Sequence, residues 1–448
     1  MTKGLCIIFM KILFYKENTE KMKDFNSPEY KRSRASYMAQ CTVEYFISLL
    51  VTDAFLAKLL TSIGISDALT GIISSFITLA FVIQLLSIFL VRVKVSTKKM
   101  VMFFDTLSIF FFMFVYLIPF MPIAQTAKTI LVVVSVLMAY VGKYLILSIC
   151  FKWANAYVEP SKRASYSAVK EMISLFTGMI FTAVFGYIID KFESLGNLNG
   201  AFLFIAVGIL ILNICNFICL AMIKKEDASE HEGDNQPLSV IMKNTVGNKN
   251  FRSIIILTAL WDIARYFTVG FLGVFKTKDL LLSVFAVQLI NIISNLARMA
   301  ISKPFGKYSD KHSYAKGFKL AMYLAAGAFF INIFTNQSTW YFIIVYTLLY
   351  NCSYAGSNQN SFNIAYSYVD SKYITQAMAI KNCIGGLCGF GASILGGKIL
   401  SMVQANNNTV FGVHIYGQQI LSAISFIIVV VAIIFITKVI EKQKVMRQ

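Results

Sequence analysis

The chain is divided into twelve apolar runs, each of about 20 residues and therefore long enough to cross ~30 Å of hydrocarbon as a helix. Because that layer contains no water, the backbone groups of each run must hydrogen-bond internally, which excludes exposed loops and open strands. We therefore predict an all-α integral membrane protein. The predicted spans, numbered 1 to 12, lie near residues 38–61, 68–91, 100–121, 128–150, 167–189, 201–223, 252–275, 282–302, 317–335, 340–363, 379–402 and 417–437.

The net charge of +19 would be compatible with a nucleic-acid partner, but the distribution of the basic residues argues against one. Most Lys and Arg residues outside the spans lie in the N-terminal segment, in alternate loops and in the C-terminal tail. Cytoplasmic loops carry such an excess of Lys and Arg. We expect a multi-pass protein of the cell membrane with both termini in the cytoplasm. Its expected partner is the lipid bilayer, and we expect no nucleic-acid partner.

A stretch of the sequence occurs twice, from Ala154 to Ile188 and again, 211 positions later, from Ala365 to Ile399. A second match relates residues 55–57 to residues 271–273. Internal repeats of this kind indicate a duplicated architecture. We predict twelve transmembrane helices in two pseudo-symmetric six-helix bundles. The expected divisions are an N-terminal segment at 1–37, the two bundles at 38–223 and 251–437, a cytoplasmic central loop at 224–250 and a tail at 438–448.

Charged and amide side chains inside the spans are the candidates for a substrate or ion pathway, since such residues are costly in lipid and usually face a cavity or a partner. Lys143 lies near the middle of span 4 and needs an anion, for which Glu44, Asp105 and a substrate group are alternatives. Asp262 is three residues from Arg265, so the two share a helix face. The predicted pathway residues are Glu44, Lys143, Asp262, Arg265, Asn291, Asn295, Tyr354 and Asn358.

Two loop motifs add a family resemblance. Residues 306–311 read G-K-Y-S-D-K and are similar to the G-x-x-x-D-R/K signature of the major facilitator superfamily, and residues 160–166 resemble a P-x-x-R-x-x-Y form found in its prokaryotic members. The equivalent loop of the first half, residues 92–100, lacks the Gly and the Asp. The resemblance implies a secondary transporter with a central cavity lined mainly by spans 1, 4, 7 and 10. It implies gating roles for Asp310 and Arg163, which lie in the two motifs. Arg298 is predicted to act in gating or to snorkel, because it lies four residues from the cytoplasmic end of span 8.

Small residues four apart form one stripe on span 5 and an equivalent stripe on span 11. Such stripes allow membrane helices to approach closely. The resemblance implies that both helices pack across the boundary between the halves, so we expect the halves to slide on these faces. The stripes comprise Ser174, Gly178, Thr182 and Gly186, and Gly385, Gly389, Ser393 and Gly397. Gly178, Gly186, Gly389 and Gly397 are the predicted interface residues.

The sequence thus predicts a monomeric secondary active transporter for a small polar solute, without cofactor or metal and not an enzyme. The carboxylates of Glu44 and Asp262 make coupling to H⁺ or another ion a hypothesis, with structural ion pairs to Lys143 and Arg265 as the alternative. A multidrug-type efflux pump of the same fold is a second interpretation. A channel or a non-transporting receptor is a third, from a different functional class.

Overall fold

The computed structural model describes residues 25–90, 96–159, 163–224, 245–368, 374–410 and 412–443. These residues are almost entirely helical, apart from a short antiparallel hairpin of β1, Thr409–Val410, and β2, Val413–His414. The spans are Pro28–Leu50 with Asp53–Ile63 (1), Asp67–Ser74 with Phe76–Leu90 (2), Thr97–Leu117 (3), Gln125–Asn155 (4), Arg163–Ser194 (5), Leu198–Met222 (6), Lys249–Tyr266 continued by the turns Val269–Phe271, Leu272–Val274 and Phe275–Asp279 (7), Val284–His312 (8), Tyr314–Asn332 (9), Phe342–Tyr366 (10), Ile374–Ala405 (11) and Gly417–Lys438 (12).

Among the described residues, nine helices are long and apolar enough to cross a membrane on their own, and the two bent pieces of span 1 make a tenth when they are joined. The other two helices, spans 9 and 10, are less apolar. Lys316 and Lys319 lie in the first turns of span 9, and span 10 carries a series of amide and hydroxyl side chains. Both are held between other helices of their bundle, so twelve spans remain the architecture of the fold.

The two ends of the molecule carry different segments of the chain, and we call them the terminal end and the closed end. The terminal end carries the start of span 1, the end of span 6 and the end of span 12, and the closed end carries the turns at residues 64–66, 195–197 and 280–283. At the closed end, Ser66, Asn197 and Ser283 precede spans 2, 6 and 8, and each side chain accepts a hydrogen bond from a backbone N–H of the following turn. Such N-caps satisfy amides that have no partner inside the helix.

The helices form two bundles of six, each with its own apolar core. Spans 1 to 6 pack mainly on one another, and so do spans 7 to 12. Between the halves, span 2 packs against span 11, span 5 against span 8, and the closed-end part of span 1 against that of span 7. In the repeat, span 2 is equivalent to span 8 and span 5 to span 11, so the first two contacts are equivalent to each other. The repeat therefore relates the halves in space as well as in sequence.

Large apolar side chains on the outer surface are exposed, as expected for helices that face lipid. Phe103 is 63% exposed, Phe176 61% and Ile427 60%, whereas Asn216, Asn332 and Gln418 are buried inside the bundles. This distribution is the reverse of that in a soluble protein, in which polar residues lie mostly on the surface. The protein is therefore a multi-pass membrane protein.

Spans 1 and 7 are broken at equivalent places, near their closed ends. Span 1 bends by 43° between Leu50 and Asp53, and the helix of span 7 ends at Tyr266 before a series of short turns. Freed backbone carbonyls must find other partners inside a membrane protein. Tyr116 on span 3 donates to the carbonyl oxygen of Leu50, and Gln418 on span 12 donates to that of Thr268 at 3.2 Å.

Candidate functional site

A cavity of about 160 Å³ lies between the halves, where spans 1 and 5 meet spans 8 and 10. Asn295, which lines it, is eleven residues from the start of span 8, roughly 16 Å along the helix and so near the middle of the bilayer. The first half contributes mainly apolar surface and the second half contributes amides. The lining residues are Tyr45, Leu49, Gly178, Met179 and Thr182, and Gln288, Asn291, Ile292, Asn295 and Asn351.

The two predicted asparagines of span 8 have different surroundings in this cavity. Asn291 Nδ2 donates a hydrogen bond to Asp53 Oδ2 at 3.0 Å, across the boundary between the halves. Asn295 forms no hydrogen bond with any other described residue. The amide of Asn295 is therefore available to a solute, whereas that of Asn291 already belongs to the contacts that join the halves.

Glu44 and Lys143 form an ion pair between spans 1 and 4. Lys143 Nζ lies 2.9 Å from Glu44 Oε1, and Gln40 Nε2 donates to the other carboxylate oxygen at 3.2 Å. Asp105, the other protein anion considered for Lys143, instead accepts a hydrogen bond of 2.5 Å from Asn216 Nδ2 on span 6. The charge of Lys143 is therefore balanced within the first half.

Asp262 and Arg265 face each other on one side of span 7. Arg265 Nε lies 3.4 Å from Asp262 Oδ1, and the guanidinium donates a 2.6 Å hydrogen bond to the Tyr266 hydroxyl. The guanidinium carbon also lies 4.4 Å from the centre of the Tyr266 ring. Arg265 therefore has one weak ionic contact and one short hydrogen bond, and several of its N–H groups remain free for a ligand.

Tyr354 on span 10 brings two cations together. The guanidinium carbon of Arg298 lies 4.8 Å from the centre of its ring and that of Arg265 lies 5.7 Å from it. Cation–π contacts of this length attract the guanidinium groups to the ring. Asn358, one turn further along span 10, is exposed. Four of the predicted pathway or gating residues thus gather on the terminal-end side of the cavity.

Of the remaining two gating residues, the structure describes the side chain of Asp310 alone. The G-x-x-x-D-K motif was expected in a loop, but span 8 stays helical to His312, so Asp310 lies on the exposed surface of the last helical turns. The helix passes through both Pro304 and Gly306 and ends only at His312, before Ser313. Arg163 begins span 5, and its side chain lies outside the described residues.

The glycine stripes do not form the single sliding faces that the sequence predicted. A Cβ added to Gly178 would lie 2.4 Å from a ring carbon of Tyr45 on span 1, and one added to Gly389 would lie 2.7 Å from a ring carbon of Tyr266 on span 7. Both contacts are inside one half. These two glycines therefore admit an aromatic ring from the first helix of their own bundle.

The closed-end members of the stripes do contact the other half. A Cβ on Gly186 would lie 3.1 Å from the Cα of Phe285 on span 8, and one on Gly397 would lie 3.0 Å from Ile72 on span 2. Gly386, which lies beside the stripe on span 11, makes a closer approach that the sequence analysis did not select. Its added Cβ would lie 2.3 Å from the backbone oxygen of Thr78.

Charged pairs that join the halves at the closed end were also missed. Lys276 Nζ lies 3.2 Å from Asp53 Oδ2, and its side chain is only 4% exposed. Lys278 Nζ lies 2.7 Å from Asp67 Oδ2, which also accepts a 2.6 Å hydrogen bond from Gln404 Nε2. The partners are 223 and 211 residues apart in sequence, so no local pattern connects them.

A third closed-end contact involves the start of a helix. Asp190, near the end of span 5, accepts hydrogen bonds from the backbone N–H groups of Val284 at 3.0 Å and Phe285 at 2.8 Å. A carboxylate is favoured there because it meets unpaired N–H groups and the positive end of the helix dipole of span 8. These contacts, together with that of Asn291 with Asp53, join the halves in the closed-end part of the spans.

Lys381 is a buried cation that was not among the residues predicted from the sequence. It lies on span 11, is 4% exposed, and donates a 2.9 Å hydrogen bond to the hydroxyl of Ser361 on span 10. One turn further along span 11, a Cβ on Gly385 would lie 2.3 Å from Asp262 Oδ2. Lys381 therefore belongs to the same region as Asp262 and Arg265. A lysine inside a glycine-rich apolar run was the available signal.

Comparisons with known proteins agree with this arrangement. The sequence profile of the Major Facilitator Superfamily matches residues 37–393. One similar structure is a mutant of the nucleoside transporter NupG, with a TM-score of 0.72 and 12% identity over 90% of this chain and 99% of that chain. Another is a bacterial homolog of the human lysosomal transporter Spinster, with a TM-score of 0.68 and 12% identity over 92% of this chain and 97% of that chain. A D-xylose–proton symporter is also similar, with a TM-score of 0.66 and 13% identity over 90% of this chain and 97% of that chain.

No curated protein matches the chain by sequence. At identities of 12–13% the similar structures show the fold alone. The profile match is different in kind, because it extends over most of the chain and covers both halves of the repeat. The chain therefore belongs to the Major Facilitator Superfamily, and it is a membrane transporter for a small molecule rather than an enzyme.

Proposed function

We propose that the protein is a secondary active transporter that moves a small polar solute by alternating access between its two halves. The observation that carries this proposal is the cavity near the middle of the bilayer, which is lined by both halves and carries the free amide of Asn295. Transporters built from repeats are expected to bind their substrates at this depth, at the interface of the repeats.

The distribution of contacts between the halves supports a particular state. The polar contacts described above that join the halves all lie at the closed end. The excess of Lys and Arg in the segments of the terminal end favours its placement in the cytoplasm. We therefore interpret the structure as an inward-facing state, in which the solute site is accessible from the cytoplasm.

The amides of the cavity favour a solute with hydroxyl or amide groups. Gln288, Asn291, Asn295 and Asn351 each carry both a donor and an acceptor, so they can complement a polyhydroxylated or amide-bearing molecule. The similar structures include transporters of nucleosides, of D-xylose and of peptides, all of which are solutes of this general kind.

We predict that replacing Asn295 with leucine will reduce counterflow of the transported solute at least about tenfold. The substitution removes an amide that is worth ~1 kcal/mol per hydrogen bond and places a branched apolar group in a cavity of about 160 Å³. The wild-type protein in proteoliposomes should show saturable counterflow of one member of a panel of nucleosides, sugars and dipeptides. Ile293, an exposed residue of the same helix, provides the control Ile293→Leu.

A channel would give a different result in this assay. Flux through a channel does not saturate in the same range and shows no counterflow, so non-saturating flux of the wild-type protein would refute the transporter proposal. Unchanged counterflow by the Asn295→Leu variant would show that the solute binds elsewhere. Saturable efflux restricted to apolar drugs would favour the efflux-pump interpretation.

Coupling to protons is part of the proposal and has its own test. Protonation of Glu44 or Asp262 would release the cation with which each is paired, Lys143 or Arg265, and so link proton binding to the arrangement of the helices. We expect the variant with both Glu44→Gln and Asp262→Asn to lose uptake driven by a pH gradient and to keep counterflow, which needs no gradient.

The control for this experiment is Glu44→Gln combined with Lys143→Met, which leaves no unpaired charge behind. It separates the loss of a proton site from the cost of an isolated buried cation, which can be several kcal/mol. Uptake driven by a pH gradient that persists with both carboxylates replaced would eliminate these residues as proton carriers.

A further inference from the structure

The two halves balance the charges around the cavity differently. In the first half, Lys143 is paired with Glu44 at 2.9 Å. In the described part of the second half, the cations of this region are Arg265, Arg298 and Lys381, and the nearby carboxylate is that of Asp262. Isolated cations inside a membrane protein are costly and usually have a partner. This region of the second half therefore carries more positive than negative side chains.

Lys381 is the strongest sign of this deficit. Its ammonium group is buried, and its hydrogen-bond partner among the described residues is the neutral hydroxyl of Ser361. An ammonium group has three N–H donors, so two of them are unused. Arg298 likewise forms no ion pair with a described carboxylate and rests instead against the ring of Tyr354. The free donors of both residues suit a charge-assisted hydrogen bond to an anion.

The geometry brings these donors to one region beside span 10. Tyr354, Asn358 and Ser361 lie four and three residues apart, on one face of span 10. Tyr354 contacts both arginines, Ser361 contacts Lys381, and Asn358 between them is exposed. Glu171 on span 5 and Arg298 both lie near Tyr45, and no ion pair joins these two residues in the described part of the chain.

We infer that Arg265, Arg298 and Lys381, together with Asn358, form a subsite for an anionic group, a carboxylate or a phosphate, on the transported solute. This inference rests on the proposed transport function and adds a charge to the solute that the amide-lined cavity would bind. The solute would carry hydroxyl or amide groups toward Asn295 and its anionic group toward Lys381, on the side of the cavity that faces the terminal end.

The test is binding of simple anions to the full-length purified protein in detergent. Thermal unfolding is followed while chloride is replaced by acetate or by inorganic phosphate at constant ionic strength, because a ligand of the folded state raises the unfolding temperature in a saturable way. A saturable shift with acetate alone identifies a carboxylate subsite, and one with phosphate identifies a phosphate subsite. We expect Lys381→Met and Arg298→Gln each to weaken the affinity about tenfold or more.

The matched control is Lys398→Met, which makes the same change on the same helix at an exposed position away from the subsite. It should keep the wild-type affinity. Phosphate also stabilises proteins through exclusion from their surface, so a non-saturating rise shared by all variants would overturn the inference. So would equal losses of affinity in Lys398→Met and Lys381→Met.

The experiment is independent of transport itself. Counterflow of an uncharged solute by a protein that shows no saturable anion binding would refute the subsite and leave the transporter proposal standing. Conversely, saturable anion binding by a protein with no counterflow for any solute would refute the transport proposal and leave the site as an anion-binding site.

Discussion

Replacing Asp53 with asparagine is expected to shift the conformational equilibrium of the protein away from the observed state by about a hundredfold or more. Lys276 is 4% exposed and pairs with Asp53 across the halves, so the substitution leaves a buried cation without its counter-charge. Breaking such a pair costs about 3–5 kcal/mol, and that cost is avoided when the closed end opens to water. The equilibrium therefore moves toward the form in which this end is open.

Asparagine isolates the effect of the charge at this position. Asp53 follows the break in span 1 and has a φ of 47°, in the left-handed region, which asparagine also tolerates. The side chains have nearly the same size, and the amide can still meet Asn291. A change in behaviour would thus report the lost carboxylate rather than strain in the backbone.

Hydrogen–deuterium exchange measures the opening directly. In Asp53→Asn we expect faster exchange in the closed-end turns, residues 64–66 and 280–283, and a loss of counterflow. Adding Lys276→Met should restore much of the slow exchange, since no unpaired charge remains. Lys58→Met, which breaks an ion pair of 2.5 Å with Glu193 inside the first half, should leave both readouts unchanged. Unchanged exchange in Asp53→Asn would show that the pair does not hold the closed end.

Replacing Gly386 with alanine is the second change from which we expect a large effect. The added methyl group would lie 2.3 Å from the backbone oxygen of Thr78 and 3.2 Å from Phe81, both on span 2 of the other half. A backbone atom cannot turn aside as a side chain can, so span 11 must move away from span 2. Overpacking of this kind typically costs about 1–3 kcal/mol.

We expect Gly386→Ala to lower counterflow at least about tenfold and to lower the unfolding temperature, while the amount of protein in the membrane stays similar. Gly391→Ala is the control on the same helix, because no atom lies within 4 Å of its added Cβ. Normal counterflow by Gly386→Ala would mean that the contact of spans 2 and 11 adjusts freely during transport, contrary to this expectation.

The neighbours of the glycines also change the interpretation of the small-residue stripes on spans 5 and 11. Leucine at Gly178 or Gly389 should abolish transport through displacement of Tyr45 or Tyr266 inside one half, rather than through a blocked sliding face. The spacing of small residues indicates where helices approach closely. It does not identify the neighbour, because the same face can meet a helix of either half at different depths.

Much of the architecture follows from the sequence because its causes are local or repeated. The length and apolarity of the runs require membrane helices, and the 211-residue repeat requires two similar bundles. The contact of Asp262 with Arg265 follows from a spacing of three residues on one helix. The repeat match of residues 55–57 with residues 271–273 also corresponds to a contact. Ala57 and Gly273 are equivalent residues in this match, and they meet where spans 1 and 7 pack together.

The closed-end pairs and the charge deficit around Lys381 were decided by the tertiary structure alone. Apolar patterning determines which segments enter the membrane, since every span must bury its backbone, but lipid accepts any outward apolar face and so the pattern does not specify neighbours. Asp53 meets Lys276 only because both helices break near the closed end and pack there. Lys381 forms no ion pair with a described carboxylate, because span 11 presents its ammonium group to Ser361, while Asp262 is within ion-pair distance of Arg265.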